Sequence, residues 1–252
     1  MSQIYKTGAF TLAEILITLG ILGIIAALTI PKLVANTASA KYKSQFKKTL
    51  STLTQAAYTG KARYNLDFSS ALTACGSGAS EENPNEDMTL CALLNGTLKG
   101  YTYLGKISEI KALEGSKTKV PYGESIKLDT MKALEFGDFY AYSLADGSIF
   151  AFPSVDVGDD SDEVMCTLAL GTRMDSHWIE DHPNCRAFID VNGMTLPNKE
   201  VSCSEAGPTS TKVEDPCVVK NDSGHMTDIF PIVIYDGTVA PASNAAWDVL
   251  AT

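Results

Sequence analysis

The sequence predicts an α+β fold, with one long N-terminal helix packed on an antiparallel β-sheet whose loops are pinned by disulfide bonds. Three observations predict it. An uncharged apolar stretch runs from Ile15 to Pro31 and continues into a segment with helical periodicity. From residue 139 onwards, apolar residues alternate as they do in β-strands. Six cysteines lie in the same part of the chain as these strands.

The apolar stretch has the composition of a membrane-spanning helix. Its 17 residues would form ~26 Å of helix, so Phe10 to Ala13 are needed to cross a hydrocarbon core of about 30 Å. Including them places Glu14 inside the membrane. An unpaired carboxylate there costs several kcal/mol, so we expect Glu14 to have a partner and a functional role.

Three other interpretations of this stretch were weighed. A secretory signal peptide would use Lys6 as its basic region and Ala38-Ser39-Ala40 as its cleavage site, but the apolar block is long for that purpose. A plain signal anchor would leave Glu14 without a role. A buried helix of a soluble protein would need a large core on every side, since the stretch is apolar all round.

The segment after Pro31 predicts an amphipathic helix that continues to about residue 62. Its apolar face is formed by residues at helical spacing, namely Tyr42, Phe46, Leu50, Leu53 and Ala57. The other faces carry the basic residues Lys41, Lys43, Lys47 and Lys48. These lysines form either a solvated face or a surface for acidic partners.

Charge is distributed unevenly along the chain. Residues 10–63 contain seven basic residues and one acid, Glu14, whereas the rest of the chain after residue 63 contains 12 basic and 29 acidic residues, a net charge of −17. Such a field repels nucleic acid phosphates. We therefore expect no nucleic-acid partner for the C-terminal part.

The cysteine spacing predicts disulfides in an oxidising compartment. No pair has the C-x-x-C spacing, and no zinc-binding pattern occurs. Fifteen pairings are open to six cysteines, with reduced core cysteines as the alternative. Sequential pairing closes the shortest loops and is the expected one, joining Cys75 with Cys91, Cys166 with Cys185, and Cys203 with Cys217.

The strand pattern begins with a β-hairpin. Residues 139–144 and 148–152 alternate around an Asp146-Gly147 turn. Further strands are predicted at 186–191 and 229–235, and Pro231 predicts that the last one is an edge or bulged strand. Before the hairpin, short helices are predicted at 88–94 and 108–113 within irregular structure.

Catalytic motifs are missing from the sequence: it has no G-x-S-x-G, Walker A, H-E-x-x-H or G-x-G-x-x-G pattern. We therefore do not expect an enzyme, and calcium is the one cofactor considered. Asp190 and Asn192 precede Gly193 as alternating oxygen ligands, and Asp228 is expected near them through the sheet. The alternative is an Asx-type turn.

The N-terminal residues Gly8-Ala9-Phe10-Thr11-Leu12-Ala13-Glu14, followed by the apolar helix, resemble the prepilin cleavage and methylation motif of type IV pilins and type II secretion pseudopilins. The resemblance implies cleavage between Ala9 and Phe10, N-methylation of Phe10, and assembly through Glu14. It also implies a helix kink at Pro31 and a stretch able to unwind at Gly23. Ala9 stands where the family usually has glycine.

This resemblance divides the chain into a leader (1–9), a transmembrane and assembly helix (10–31), its amphipathic continuation (32–62) and an extracytoplasmic head (63–252). It implies a structural filament subunit, a minor pilin or pseudopilin of a type IV pilus-like or type II secretion filament. The implied partners are prepilin peptidase, other subunits and an inner-membrane assembly platform. The subunit would cross the inner membrane once, with its head in the periplasm or outside the cell.

Two features bear on this topology and on the alternative. The lysines after the apolar stretch favour the opposite orientation by charge bias, whereas disulfides require an oxidising compartment; we follow the cysteines. The alternative function is a Sec-secreted, disulfide-bonded binding or adhesive domain released after Ala40.

Overall fold

A computed structural model describes residues 11–71, 74–111, 120–126, 128, 139–153, 166–168, 178, 182, 185–203, 217–219 and 227–251. The helices are α1 (Leu12–Tyr64), α2 (Leu90–Thr97), α3 (Tyr122–Ser125) and α4 (Asn244–Ala251). The strands are β1 (Thr102–Lys106), β2 (Phe139–Ser143), β3 (Ile149–Pro153), β4 (Arg186–Asp190), β5 (Ile229–Tyr235) and β6 (Thr238–Pro241). A 3-10 turn at Ile107–Glu109 follows β1.

Helix α1 is one element of 53 residues that continues through Pro31. It begins after Thr11, whose side chain caps the first turn, and it ends at Asn65, which adopts a left-handed conformation with φ of 56°. The Asn65 N–H reaches back to the carbonyls of Gly60 and Lys61, which satisfies the last turn. The helix therefore ends two residues beyond the position expected from the sequence.

The first part of α1, Leu12–Pro31, is long and apolar enough to cross a membrane. Its mean hydropathy is 2.3, and none of its residues is buried within the chain. A stretch with these properties near an N-terminus is either a membrane anchor or a signal sequence.

The second part of α1 contributes to the main hydrophobic core. The predicted face, Tyr42 to Ala57, is buried as expected. The Phe46 ring stacks on the Phe230 ring of β5 with centroids 4.2 Å apart. Beside it, the Thr49 and Ser148 hydroxyls lie 3.2 Å apart, so α1 contacts both β5 and the turn between β2 and β3.

The strands form one antiparallel sheet of six strands in sequence order, β1 to β6. The predicted hairpin is confirmed, with Phe139 opposite Pro153 and Ser143 opposite Ile149. Gly147 closes its turn with φ of +84°, a value that favours glycine. An α+β fold is thus confirmed, while β1, β6 and α4 are elements that the sequence pattern did not predict.

The prediction that Pro231 marks an edge strand is wrong, because β5 lies between β4 and β6. Its register with β4 runs without a bulge, and Pro231 sits opposite Phe188. The Pro231 carbonyl accepts from the N–H of Ala242, just past the end of β6. The N–H and C=O of one residue in a strand point to the same side. The N–H that Pro231 lacks would therefore point towards Ala242, where β6 has already ended. An interior strand therefore tolerates this proline.

The three disulfides join Cys75 to Cys91, Cys166 to Cys185, and Cys203 to Cys217, the sequential pairing expected from the spacing. The helix predicted at 88–94 is shifted to Leu90–Thr97, where the Thr89 side chain caps it. Where a helix was predicted at 108–113, the structure has the 3-10 turn Ile107–Glu109. Residues 110 and 111 belong to no helix, and residues 112–119 lie outside the described part.

Replacing Phe46 by alanine tests the α1 core contact. We expect Phe46→Ala to lower the free energy of unfolding by about 3–5 kcal/mol, because it removes a fully buried ring and leaves a cavity. Tyr58 lies on the same helix with 58% of its surface exposed, so Tyr58→Ala is the matched control and should change stability by less than about 0.5 kcal/mol. Denaturant unfolding of the full chain in detergent, followed by tryptophan fluorescence, measures both. Equal effects would show that the helix is not held by this contact.

Candidate functional sites

The predicted cleavage residues Ala9 and Phe10 lie outside the described part of the chain, whereas Glu14 lies in the first turn of α1. Its Oε2 accepts hydrogen bonds from the Thr11 N–H and the Thr11 hydroxyl, both at 2.8 Å. The Glu14 N–H donates to the Thr11 hydroxyl at 3.3 Å. Glu14 is therefore the third residue of α1 and the acidic member of a capping box with Thr11.

The sequence analysis missed this role, although its signal was present. Thr-x-x-Glu immediately before an apolar run is the pattern of a capping box, and residues 11–14 fit it. The carboxylate consequently lies at the helix end, beside the residue that follows Phe10. The amine that the predicted cleavage creates would belong to Phe10, the residue directly before Thr11.

Gly23 and Pro31, the predicted sites of unwinding and kinking, lie in the exposed part of α1. A Cβ built on Gly23 would have no heavy atom within 4 Å. No described residue of the chain packs on the helix there. The backbone at Gly23 is accessible to a partner from outside the chain, and the kink and unwinding remain predictions.

The three residues predicted to bind calcium lie in one hydrogen-bond network. Asp190 ends β4, Asp228 precedes β5, and both are fully buried. The Val191 N–H donates to the Asp228 carbonyl at 3.0 Å, which aligns the two segments. The side-chain nitrogen of Asn192 approaches Asp228 Oδ2 at 3.4 Å. The sheet register thus brings together residues that are 36 to 38 positions apart in the sequence.

Hydrogen bonds already occupy the carboxylate oxygens of this network. The Tyr122 hydroxyl donates to Asp190 Oδ2 at 2.8 Å, and the Asn192 N–H donates to Asp190 Oδ1 at 3.0 Å. Asp228 accepts from the N–H groups of Lys199 at 2.8 Å and Asn198 at 3.1 Å. The contact from the Asn192 N–H to Asp190 is the Asx-type turn that was the alternative to a calcium site.

Asn198 adds an oxygen that the sequence analysis did not include. It is 1% exposed, its backbone N–H contacts Asp228, and its side-chain nitrogen donates to the Ser125 hydroxyl. Its Oδ1 has no hydrogen-bond partner. Two buried carboxylates and an unpaired amide oxygen are the donor types that calcium prefers, so the residues fit this ion by chemistry. Neither Tyr122 nor Asn198 carries a local sequence signal that would have revealed its place here.

Burial governs the charge state of the network. Desolvation, followed by the negative charge of Asp228, raises the pKa of Asp190 well above its usual range. Desolvation also raises the pKa of Asp228 to about 6, against the opposing hydrogen bonds from Lys199 and Asn198. In the described part of the chain, no basic side chain forms an ion pair with either carboxyl group.

A second cluster of metal-ligand types consists of Cys75, Glu82 and Cys91, whose ligand atoms lie within 4.8 Å of one another. The two sulfurs are joined in a disulfide and so are not thiolates. Glu82 instead accepts hydrogen bonds from the Gly76 N–H and the Thr89 hydroxyl. This cluster therefore pins a loop rather than offering a metal site.

No protein-family model, no curated protein and no solved structure matches this chain. Its function has to be inferred from its own residues and their geometry.

The buried carboxyl groups predict an unusual pH dependence in the presence of chelator. Because both pKa values are raised, the protonated forms stabilise the fold fully below about pH 4, the usual pKa of aspartate. This contribution is lost as the pH rises through about 6 for Asp228. We therefore expect the unfolding free energy to fall from about pH 5 to about pH 8. The lowered pKa values of Asp67 and Asp146 act in the opposite sense but below this window. Stability that is constant or rises over this range would contradict the raised values.

Calcium bound at the predicted site should raise the unfolding free energy at the high end of this pH range, where both carboxyl groups can ionise. Binding to the folded state adds about 2.7 kcal/mol at a calcium concentration one hundred times the dissociation constant. We expect the melting temperature of the full chain to rise with calcium at pH 8, and Asp228→Asn to abolish the rise. Glu109→Gln, which removes an exposed acid outside the network, is the matched control and should keep it. Identical melting curves in calcium and in chelator would remove the site.

Proposed function

We propose that this chain is a structural subunit, a minor pilin or pseudopilin, of a type IV pilus-like or type II secretion filament. The observation that carries the proposal is the division of α1. Its first 20 residues bury nothing within the chain, and Glu14 is the one charged residue among them. Its second half is built into the core of the head. A helix of this kind is suited to join its neighbours through one half and to hold a domain with the other.

The continuity of α1 also supports this function over the secreted alternative. Release after Ala40 would cut within an unbroken helix. It would leave Lys41 as the first residue, directly before the buried Tyr42. The N-terminal end of the amphipathic half would then begin without a cap. Cleavage between Ala9 and Phe10 instead retains the whole of α1 together with the Thr11 capping residue.

The geometry of Glu14 suggests how assembly would be signalled. In one chain, Thr11 supplies the hydrogen bonds of the carboxylate but no positive charge. In apolar surroundings an ionised carboxylate needs a cation as well, because desolvation penalises the lone charge. The Phe10 amine of a neighbouring subunit would provide it, and pairing would be complete only when a subunit has docked.

The remaining partners and the location follow from the same proposal. Prepilin peptidase would remove residues 1–9 and methylate Phe10, and an inner-membrane platform would add the subunit to the filament. The apolar half of α1 would cross the inner membrane once. Three disulfides in the head favour placing it in the periplasm or outside the cell.

The mature N-terminus separates the two functions in one measurement. We expect Phe10, N-methylated, when the chain is purified from the envelope of a cell with a prepilin peptidase and its N-terminal peptide is analysed by mass spectrometry. Lys41 at the N-terminus would establish the secreted alternative. An intact Met1 under the same conditions would contradict both.

Substitutions at the helix start separate charge pairing from helix capping. We expect Glu14→Leu to leave insertion and cleavage intact but to stop incorporation into filaments. Glu14→Gln retains the capping box and removes the charge, so it should fail to assemble as well. Thr11→Ala retains the charge and removes the cap, at a cost of about 1 kcal/mol of helix stability, and should still assemble.

The readout is the amount of processed chain in sheared filament fractions. Normal incorporation of Glu14→Gln would show that the charge is not the assembly signal. Accumulation of unprocessed Glu14→Leu would mean that the substitution impairs recognition by the peptidase instead.

A further inference from the structure

The second half of α1 presents an exposed basic face opposite the core. It consists of the exposed residues Lys41, Ser44, Lys47, Lys48 and Ser51. No acidic residue occurs between Glu14 and Asp67, so the helix itself cannot neutralise these lysines. Lys48 lies 3.6 Å from Asp146, whereas no described residue forms an ion pair with Lys41 or Lys47.

A groove continues the basic face towards α2. It has a volume of about 480 Å³ and lies between α1 and residues 97–99. Lys48 and Lys99 line it together with polar residues such as Ser51 and Gln55, and no acid lines it. The face and the groove form one surface that favours a negatively charged partner.

The chain itself carries a matching surface, the acidic loop of residues 76–88, which contains four acids and no base. Glu81 and Glu86 are exposed there. The Cys75–Cys91 disulfide closes the loop, and the Asn95 side chain donates to the carbonyls of Ala79 at 2.8 Å and Glu82 at 3.1 Å. A loop fixed in this way loses little entropy on binding.

Lys41 and Lys47 of the basic face lie at a different height along α1 from the acidic loop. A Cβ built on Gly96 would lie 2.4 Å from Pro84 and 3.3 Å from Tyr64, which places the acidic loop at the last turn of α1. Lys47 precedes Tyr64 by 17 residues and Lys41 by 23. At 1.5 Å per residue the separation is about 25–35 Å, so the acidic loop of one chain cannot reach Lys41 and Lys47 of the same chain.

We propose that the basic face of one copy binds the acidic loop of a second copy displaced by about 25–35 Å along the helix axis. The interface rests on the filament function proposed above, and it requires that copies of this chain are neighbours in the filament. It joins unlike surfaces with a translation, so it does not close on itself and it repeats as an open filament. Lipid headgroups are a poorer partner: Lys47 lies 16 residues, or ~24 Å, beyond Pro31, and charges are screened over about 8–10 Å.

Charge exchange in the full-length chain tests the interface. We expect Lys41→Glu with Lys47→Glu to reduce the chain in sheared filament fractions at least about fivefold, because like charges then face each other. Processing should be unchanged. Glu81→Lys with Glu86→Lys should cause a similar loss, and the chain with all four changes should recover most of the wild-type amount. Lys111→Glu, at an exposed lysine away from both surfaces, is the control and should assemble normally.

Each other outcome overturns the interface. Normal assembly of Lys41→Glu with Lys47→Glu shows that the basic face is not used. A loss that persists in the chain with all four substitutions shows a structural effect instead. A photo-crosslinking residue at Lys47 in an otherwise wild-type chain gives a second measurement that does not depend on charge reversal. Its crosslinked peptide should come from residues 76–88 of another copy; a lipid or another surface contradicts the proposal. A wild-type chain that never enters filaments overturns the proposed function as well, whereas defects confined to these variants leave that function intact.

Discussion

The docking of the second half of α1 constrains most of this structure. The stacked pair of Phe46 and Phe230 joins the helix to β5, the strand next to the edge strand β6. Because an α-helix is stiff over several turns, fixing this half also determines where the first half goes. That half leaves the head with no buried residue. No described residue covers its apolar surface, and a membrane or neighbouring copies are environments that suit it.

The same docking relates the helix to the buried acidic network. Burial raises the pKa of Tyr42 on α1, and the negative charges of Asp228 and Asp190 add to the shift. Burying two carboxyl groups that have no basic partner among the described residues opposes folding. The disulfides offset this in part, each contributing about 3 kcal/mol in the chain-entropy model. The disulfides thus add to the free energy of unfolding that the apolar core provides, and this offsets part of the cost of the buried acidic network.

Glu14 shows how one residue can serve two needs in turn. As a capping residue it satisfies the first turn of an isolated chain through Thr11. Capping provides hydrogen bonds without a counter-charge, which suffices in water and becomes inadequate in hydrocarbon. In the proposed filament, Glu14 would lie in apolar surroundings, where the helix cap is not enough and its carboxylate would need a cation from a neighbouring subunit. The attraction between the basic face of α1 and the acidic loop would act later, after the apolar halves of two subunits have met.

Local pattern in the sequence determined the elements whose signal repeats over short distances. Helical spacing predicted the face from Tyr42 to Ala57, alternation around Asp146-Gly147 predicted the β2–β3 hairpin, and cysteine spacing predicted the three disulfides. Each depends on residues within about 20 positions of one another. The strands β1 and β6 were missed because each is short and mixed in composition, so propensity alone does not identify them.

Only the tertiary structure decided the sheet order and the membership of the acidic network. Pro231 suggested an edge strand, yet its place inside the sheet depends on where the separate strand β6 stops. Tyr122 reaches Asp190 across 68 residues, and Asn198 reaches Asp228 across 30. Such contacts follow from strand register and loop closure, which are properties of the whole packed chain. Local spacing therefore identified Asp190 and Asn192 as candidates, the expected sheet added Asp228, and the fold alone selected the residues that surround them.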